Sequence, residues 1–235
     1  MIFERYVTDV FAENCYVLAD ANRRRAVVVD PGAGTAAPVA AILHDHDLHL
    51  DAVLLTHGHP DHVWDAAAVA GDTPVYVPAP DAYRLENPLE TLSALAPVLA
   101  SVVPTPYRQP ANVQPLPAEF FTGGGAELVP GVSVRALAAP GHTEGSTLYF
   151  MAGEWPQDIV AEAGASGGER LLVLTGDVIF RDSIGRTDLP GGDGAVMVQT
   201  LRTLKQVIDP AGMLFPGHGP ATTMRRELTH NPFLA

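Results

Sequence analysis

Three imidazoles and a carboxylate crowd into one short run, Thr56-His57-Gly58-His59-Pro60-Asp61-His62. Neutral imidazole and carboxylate are donors that Zn²⁺, Fe²⁺ and Mn²⁺ accept. The run follows the apolar stretch Ala52-Val53-Leu54-Leu55, which reads as a buried strand. Side chains alternate in extended chain, so His57 and His59 project to one side. Pro60 lacks the N–H a ladder needs and helps end the strand. A helical pattern then runs from Trp64 to Ala70, and its start presents Asp61 and His62 on a second wall. One segment can thus offer two ligands to one cation and two to a neighbour. A polar turn that merely hydrogen-bonds would not need this density.

Three more loops repeat the construction. Pro140-Gly141-His142-Thr143-Glu144-Gly145-Ser146 lies between two apolar runs. Leu171-Leu172-Val173-Leu174-Thr175-Gly176-Asp177 is a strand pattern that ends on a carboxylate. Met213-Leu214-Phe215-Pro216-Gly217-His218-Gly219 ends on an imidazole. A lone Gly-His after a strand is ordinarily a turn, but four strand ends that each offer a ligand-type residue point to one metal site. His44, His46 and His49 are different: on a helix, positions 44 and 46 point about 200° apart, so they read as a solvated helix end.

The elements that must position these loops can be read in outline. Tyr16-Val17-Leu18 and Ala26-Val27-Val28-Val29 flank a polar turn, as in a hairpin. Asp30, at a strand end, either orients the metal loop from behind or serves as a turn carboxylate. Thr35 is placed to cap a helix over Ala36 to Asp47, and Pro88 opens a helix candidate that runs to Ala100. Residues 73–77, 127–129, 132–137 and 147–150 read as strands. Five prolines between Pro104 and Pro117 argue for an extended loop, either a lid with Tyr107 and Arg108 as contacts or a plain surface connection. Residues 154–170 read as a surface excursion between neighbouring strands. Thr222 and Thr223 can cap a short helix through Glu227.

Composition narrows the function classes. With 235 residues, 47% hydrophobic and 17% charged, the chain is globular rather than disordered. Its formal charge of -13 repels nucleic-acid phosphates and anionic lipid. A single cysteine, Cys15, lies in a strand-like run and forms no intramolecular disulfide. No window reaches the ~18 apolar residues needed to span a bilayer, and no leader pattern opens the chain. The expectation is a cytoplasmic protein of one domain, residues 1–235, with no nucleic-acid or membrane partner.

The Thr-His-x-His-x-Asp-His run, Pro-Gly-His-Thr-x-Gly-Ser, Thr-Gly-Asp and Pro-Gly-His-Gly together resemble the metallo-β-lactamase superfamily, in its order and spacing and over nearly the whole chain. The resemblance implies an α/β fold, a four-layer αβ/βα sandwich of two mixed sheets with helices on the outer faces. It also implies two divalent cations, zinc first, with iron or manganese as alternatives. By position, His57, His59 and His142 would hold the first cation, Asp61, His62 and His218 the second, and Asp177 would bridge them.

Within the family, Asp177-Val178-Ile179-Phe180 with Gly185-Arg186-Thr187-Asp188 is similar to the glyoxalase II-like group, the hydroxyacylglutathione hydrolases. That group places a basic residue at Arg186 to receive the carboxylate of a thiol carrier, and a guanidinium matches a carboxylate bidentately. The chain departs from the group where Gly219-Pro220 replaces a tyrosine after the last histidine, and where Ala221 to Ala235 stands in place of a helical domain. The implied reaction is hydrolysis of a small-molecule thioester by metal-activated water, with Asp61 as the catalytic residue that orients it. The related persulfide dioxygenases use one iron on His57, His142 and Asp177. Lactonase, nuclease and non-catalytic scaffold readings share the motif, but the intact second ligand set favours hydrolysis.

Overall fold

The computed structural model describes residues 1–103, 105–165 and 171–235. Six strands form the first sheet in chain order: β1 (Ile2–Val7), β2 (Asn14–Ala19), β3 (Arg25–Val29), β4 (His49–Leu54), β5 (Val75–Val77) and β6 (Val113–Pro115). The pairs β1–β2 and β2–β3 are antiparallel, and β3 to β6 run parallel. The second sheet uses β7 (Ala126–Val129), β8 (Val132–Ala138), β9 (Thr147–Ala152) and β10 (Leu171–Gly176). A small hairpin of β11 (Ile179–Phe180) and β12 (Ser183–Ile184) follows. The strands β13 (Met213–Pro216) and β14 (Thr222–Thr223) then complete the sheet, in the order β14-β13-β10-β9-β8-β7.

Strand alternation sorts side chains into layers. From β2, Tyr16 and Leu18 pack between the sheets with Leu54, Tyr149, Leu172, Leu174 and Phe215. Their neighbours Cys15, Val17 and Ala19 face outward with Val28 and Val53, against Val39 of α1 (Ala36–Asp45). The same outer layer takes in Val63 of α2 (Pro60–Val63) and Ala70 of α3 (Ala66–Ala70). On the far side, Val173 and Leu214 pack outward against Met197, Leu201 and Leu204. The result is helix, sheet, sheet, helix.

Several expectations are corrected. Thr35 does not cap α1: its hydroxyl donates to the Gly32 carbonyl, and the Asp65 carboxylate accepts from the Gly34 and Ala36 N–H groups instead. The helix foreseen over 88–100 is a 3-10 stretch, Pro88–Leu95, broken at Ser93 (φ 48°), then α4 (Ala96–Val102). The proline-rich stretch, of which Pro104 lies outside the described residues, ends in β6, since a proline is tolerated on an edge strand. There the ladder bonds fall to Asn112 and Leu116. Tyr107 donates to the Leu85 carbonyl and Trp64 to the Thr105 carbonyl, which ties this stretch to the body of the domain. Of the excursion at 154–170, residues Gln157–Glu162 form α5, and 166–170 lie outside the described residues.

Because β8, β10 and β13 all run the same way, their C-terminal ends meet at one rim of the second sheet. The end of β4 reaches that rim: Thr147 N–H donates to the Thr56 carbonyl at 3.0 Å, and the Tyr149 hydroxyl to the Leu55 carbonyl at 2.6 Å. Among the described residues no helix is long and apolar enough to cross a membrane. Tyr149→Phe removes the hydroxyl that ties the sheets beneath the rim and leaves a buried carbonyl unpaired. We expect a loss of about 1–3 kcal/mol in urea unfolding, with the m-value retained.

Candidate metal centre

Each histidine-bearing loop begins where a strand runs out. His57 follows β4, and His59 stands just before α2, whose first turn carries Asp61 and His62. His142 lies between β8 and β9, Asp177 follows β10, and His218 follows β13. The rim brings all seven expected residues together. One donor atom from each of His57, His59 and His142 lies within 4.8 Å of the other two, and the same holds for Asp61, His62 and His218. Asp177 lies between the two groups: its oxygens are 3.6 Å from His142 Nε2, 3.3 Å from His62 Nε2 and 3.4 Å from His218 Nε2.

The donors fit divalent cations. His59 Nδ1 faces His142 Nε2 at 2.8 Å, and His62 Nε2 faces His218 Nε2 at 3.2 Å. Imidazole nitrogens turned toward one another at these distances converge as a cation's ligands do, and a bound cation would take the place of any protons they hold. His57 Nε2 is buried with no hydrogen-bond partner among the described residues.

Four rings are locked from behind, which sets which nitrogen faces the centre. His57 Nδ1 lies 3.0 Å from the Thr56 hydroxyl, which itself donates to Asp30 at 2.6 Å. His62 Nδ1 bonds the same Asp30 at 3.1 Å. His142 Nδ1 donates to the Arg186 carbonyl at 2.7 Å and His218 Nδ1 to that of Phe11 at 3.0 Å. Asp30 also falls within ligand range of His57 and His62. Its oxygens are already taken by the Thr56 N–H, the Thr56 hydroxyl and His62 Nδ1, so it braces the rings. Two glycines make room: a side chain at Gly176 (φ 47°) would strike the Thr56 hydroxyl, and one at Gly217 would strike the Asp177 carboxylate.

Residues that the sequence did not single out hold the loops to each other. The buried Asp81 carboxylate accepts from Gly58 N–H, Gly145 N–H and the Thr143 hydroxyl, each at 2.8 Å. It thereby bolts the His57–His59 loop to the His142 loop. Arg84, fully buried, pairs with Asp81 and Glu144 and donates to the Pro190 carbonyl. Glu13 is buried 4.0 Å from His62 Nδ1, and its backbone bridges to His218. Burial pushes the Glu13 carboxyl well up. Only the proline-flanked Asp81 carried even a weak turn signal. His44 and His46, at the exposed end of α1, stand beside Asp45 and Glu4 as expected, whereas His49 opens β4 instead, beside Asp51.

Electrostatically the centre is divided. Burial and neighbouring imidazoles hold His57 well below its usual range and His59 at about 3, so this half is neutral. Burial opposes charge on His62 and His218 too, yet Asp177 and Asp61 outweigh it, raising His62 and lifting His218 to about 10. Burial likewise disfavours ionised Asp61, but His62 and His218 hold its carboxyl at about 2. Asp177 is held low by the same pair against the same burial.

A cleft of about 170 Å³ opens onto the centre, walled by Phe11, Leu92, Leu95 and Leu189, with Arg186 at its edge. Arg186 is exposed, and its guanidinium forks onto Asp188 with two bonds of 2.7 Å.

The sequence model of the metallo-beta-lactamase superfamily matches residues 8–154. The chain belongs to that superfamily. Family members at full length include an uncharacterized protein of Mycobacterium tuberculosis, 36% identical over 100% of this chain and 98% of its own. The hydroxyacylglutathione hydrolase GloC of Haemophilus influenzae is 30% identical over 95% of this chain and 93% of its own. Among solved structures, the B3 metallo-beta-lactamase BLEG-1 aligns with a TM-score of 0.75 at 29% identity, covering 100% of both chains. TTHA1623, solved in a di-iron-bound form, aligns at 0.72 and 28%, covering 98% of this chain and 100% of its own. The two mixed sheets and flanking helices are the metallo-β-lactamase fold, and the clustered donors are consistent with a binuclear metal site.

Two outcomes are expected. Asp30→Asn, which keeps the shape but weakens the brace on His57 and His62, lowers metal affinity about 10–100-fold by competition with a chelator. The second concerns the metal-free chain. His218 titrates near 6.5 unfolded and about 10 folded, so its stabilising contribution is whole below pH 6.5 and is lost as pH rises toward 10. His59, shifted from 6.5 to about 3, disfavours the folded state as pH falls below 6.5, and Asp61 loses its contribution as pH falls from 3.8 toward 2. Thermal melts of chelated protein should peak near neutrality and fall on both sides.

Proposed function

We propose that this chain is a two-cation hydrolase of thioesters formed on a small thiol carrier. The observation that carries the reading is the complete donor set, with Asp177 within 3.6 Å of imidazoles of both halves. His57, His59 and His142 would hold one cation, and Asp61, His62 and His218 the other, with Asp177 shared. Bound there, divalent cations lower the pKa of water and offset charge that develops on a carbonyl oxygen. An intact second set supports hydrolysis over one-iron oxygen chemistry, as does the name of the GloC relative.

The chain's own residues account for the rest. Asp61, held ionised, is an acceptor whose carboxylate oxygen can orient the attacking water. Phe11, Leu92, Leu95 and Leu189 make an apolar wall that seats the acyl group and keeps bulk water back. Among the described residues, and apart from the imidazoles and carboxylates of the centre, the cleft's only polar lining side chain is Arg186, which cannot give up a proton. Such a lining suits a leaving group that is stable as an anion and needs no dedicated acid. A thiol of pKa ~8.5 departs in that form readily, whereas an alkoxide does not. Arg186 would receive a carboxylate of the carrier, exchanging Asp188 for the substrate.

The test combines elemental analysis of protein purified without added metal with three assays: S-lactoylglutathione hydrolysis, β-lactam hydrolysis, and persulfide-dependent O₂ uptake. Two cations per chain with thioester cleavage is the expected result; one iron with O₂ uptake, or lactam turnover without thioester turnover, overturns the proposal. Asp177→Asn should lower kcat/KM about 100-fold or more. Arg186→Ala should raise KM for a carboxylate-bearing thioester well beyond its effect on a neutral one.

A further inference from the structure

A second cavity lies beside the cleft at the centre. It is a groove of about 530 Å³ on the other side of the loop that carries Arg186, between that loop and α6 (Gly194–Val207). Six α6 residues from Gly194 to Lys205 line it at helical spacing, i, i+3, i+4 and i+7, so one face of the helix forms its floor. That face is apolar at Met197 and Val198 and cationic at Arg202 and Lys205. Phe233, 55% exposed, also lines the groove.

Charge makes the groove unusual. The chain carries 27 acidic residues against 14 basic ones. Yet Arg186, Arg202 and Lys205 line this cavity with no carboxylate among its lining residues, and Lys205 is the chain's sole lysine. Among the described residues Arg202 reaches only Gln199, at 3.4 Å, and Lys205 has no ionic partner. A concave, partly apolar pocket with unpaired cations at one end fits a small molecule that has an apolar stretch and a terminal oxyanion.

The groove is also fastened to the centre. Thr200 of α6 donates to the Pro140 carbonyl at 2.6 Å, and Asp193 N–H to the Gly141 carbonyl at 2.9 Å, both in the His142 loop. Arg186 lines both cavities, and its carbonyl holds His142. A ligand with its reacting carbonyl at the centre could pass Arg186 and lie along α6.

We infer that this groove binds the distal arm of the thiol carrier: an extended chain that packs on Val198 and Phe233 and ends in a phosphate or carboxylate held by Arg202 and Lys205. The path from the centre rests on the thioester reading above; the anion site itself does not.

The test is calorimetric binding to the metal-loaded full chain of two thioethers that cannot be hydrolysed, S-butyl coenzyme A and S-butyl glutathione. Arg202→Gln/Lys205→Gln is the variant; both side chains are exposed, so the fold is retained. We expect the variant to bind at least one thioether about tenfold more weakly, with a reduced salt dependence. Loss confined to coenzyme A assigns a phosphate end, and loss confined to glutathione a carboxylate end. Equal affinity for both proteins, or no binding to the wild-type chain, overturns the inference, as does a change only in sedimentation, which would mark the face as a contact between copies. If no thioester is hydrolysed yet the charge pair governs binding, the proposed function fails and the groove stands. If thioesters are hydrolysed and the pair is silent, the reverse holds.

Discussion

Asp61 and Asp177 are buried carboxylates that lie within 3.4 Å of the same His218 nitrogen, and their charge has to be matched. An ionised carboxylate away from water is costly unless paired. In the metal-free chain, protons on His62 and His218 supply the match, while the His57 and His59 half stays neutral. Cations would displace those protons, so metal uptake, pH and folding stability are linked through the same few atoms. Every other feature of the rim keeps those side chains close enough for this exchange.

The rest of the fold supplies rigidity at that rim. Parallel β8, β10 and β13 deliver three ligand loops to one end, and β4 is stitched to them by Thr147 and Tyr149. Asp30 and Asp81 then act at two levels: the first fixes ring orientation within the opening loop, and the second fixes that loop against its neighbour. Both are carboxylates saturated by N–H and O–H donors, an arrangement that is strong when complete and costly when broken. Phe11 and Ala12 adopt left-handed backbone (φ 58° and 54°), which aims the Phe11 carbonyl at His218.

Where reading the sequence went astray, long-range partners had outvoted local preference. Thr35 looked like a helix cap, but Asp65, which approaches from another helix start, reached those N–H groups first. The prolines near 113–117 argued against a strand, yet an edge position asks for ladder bonds on one side only. Arg84 carried no signal at all. A fully buried guanidinium is intelligible only once Asp81, Glu144 and the Pro190 carbonyl surround it.

The sequence by itself determined which ligand-type residues stand at strand ends, because apolar runs that stop at Gly or Pro before His or Asp are local patterns. It also argued against a shared cation at His44 and His46, which point about 200° apart on a helix, whereas only the structure shows that His49 opens β4. Only the tertiary structure decided which nitrogen of each ring faces inward, and that Glu13, Asp30 and Asp81 lie behind the rings. It alone decided that the scarce cations of α6 gather in a groove beside Arg186. Spacing along a chain can report which residues share a turn. It cannot report which buried donor meets which acceptor once two sheets have closed on each other.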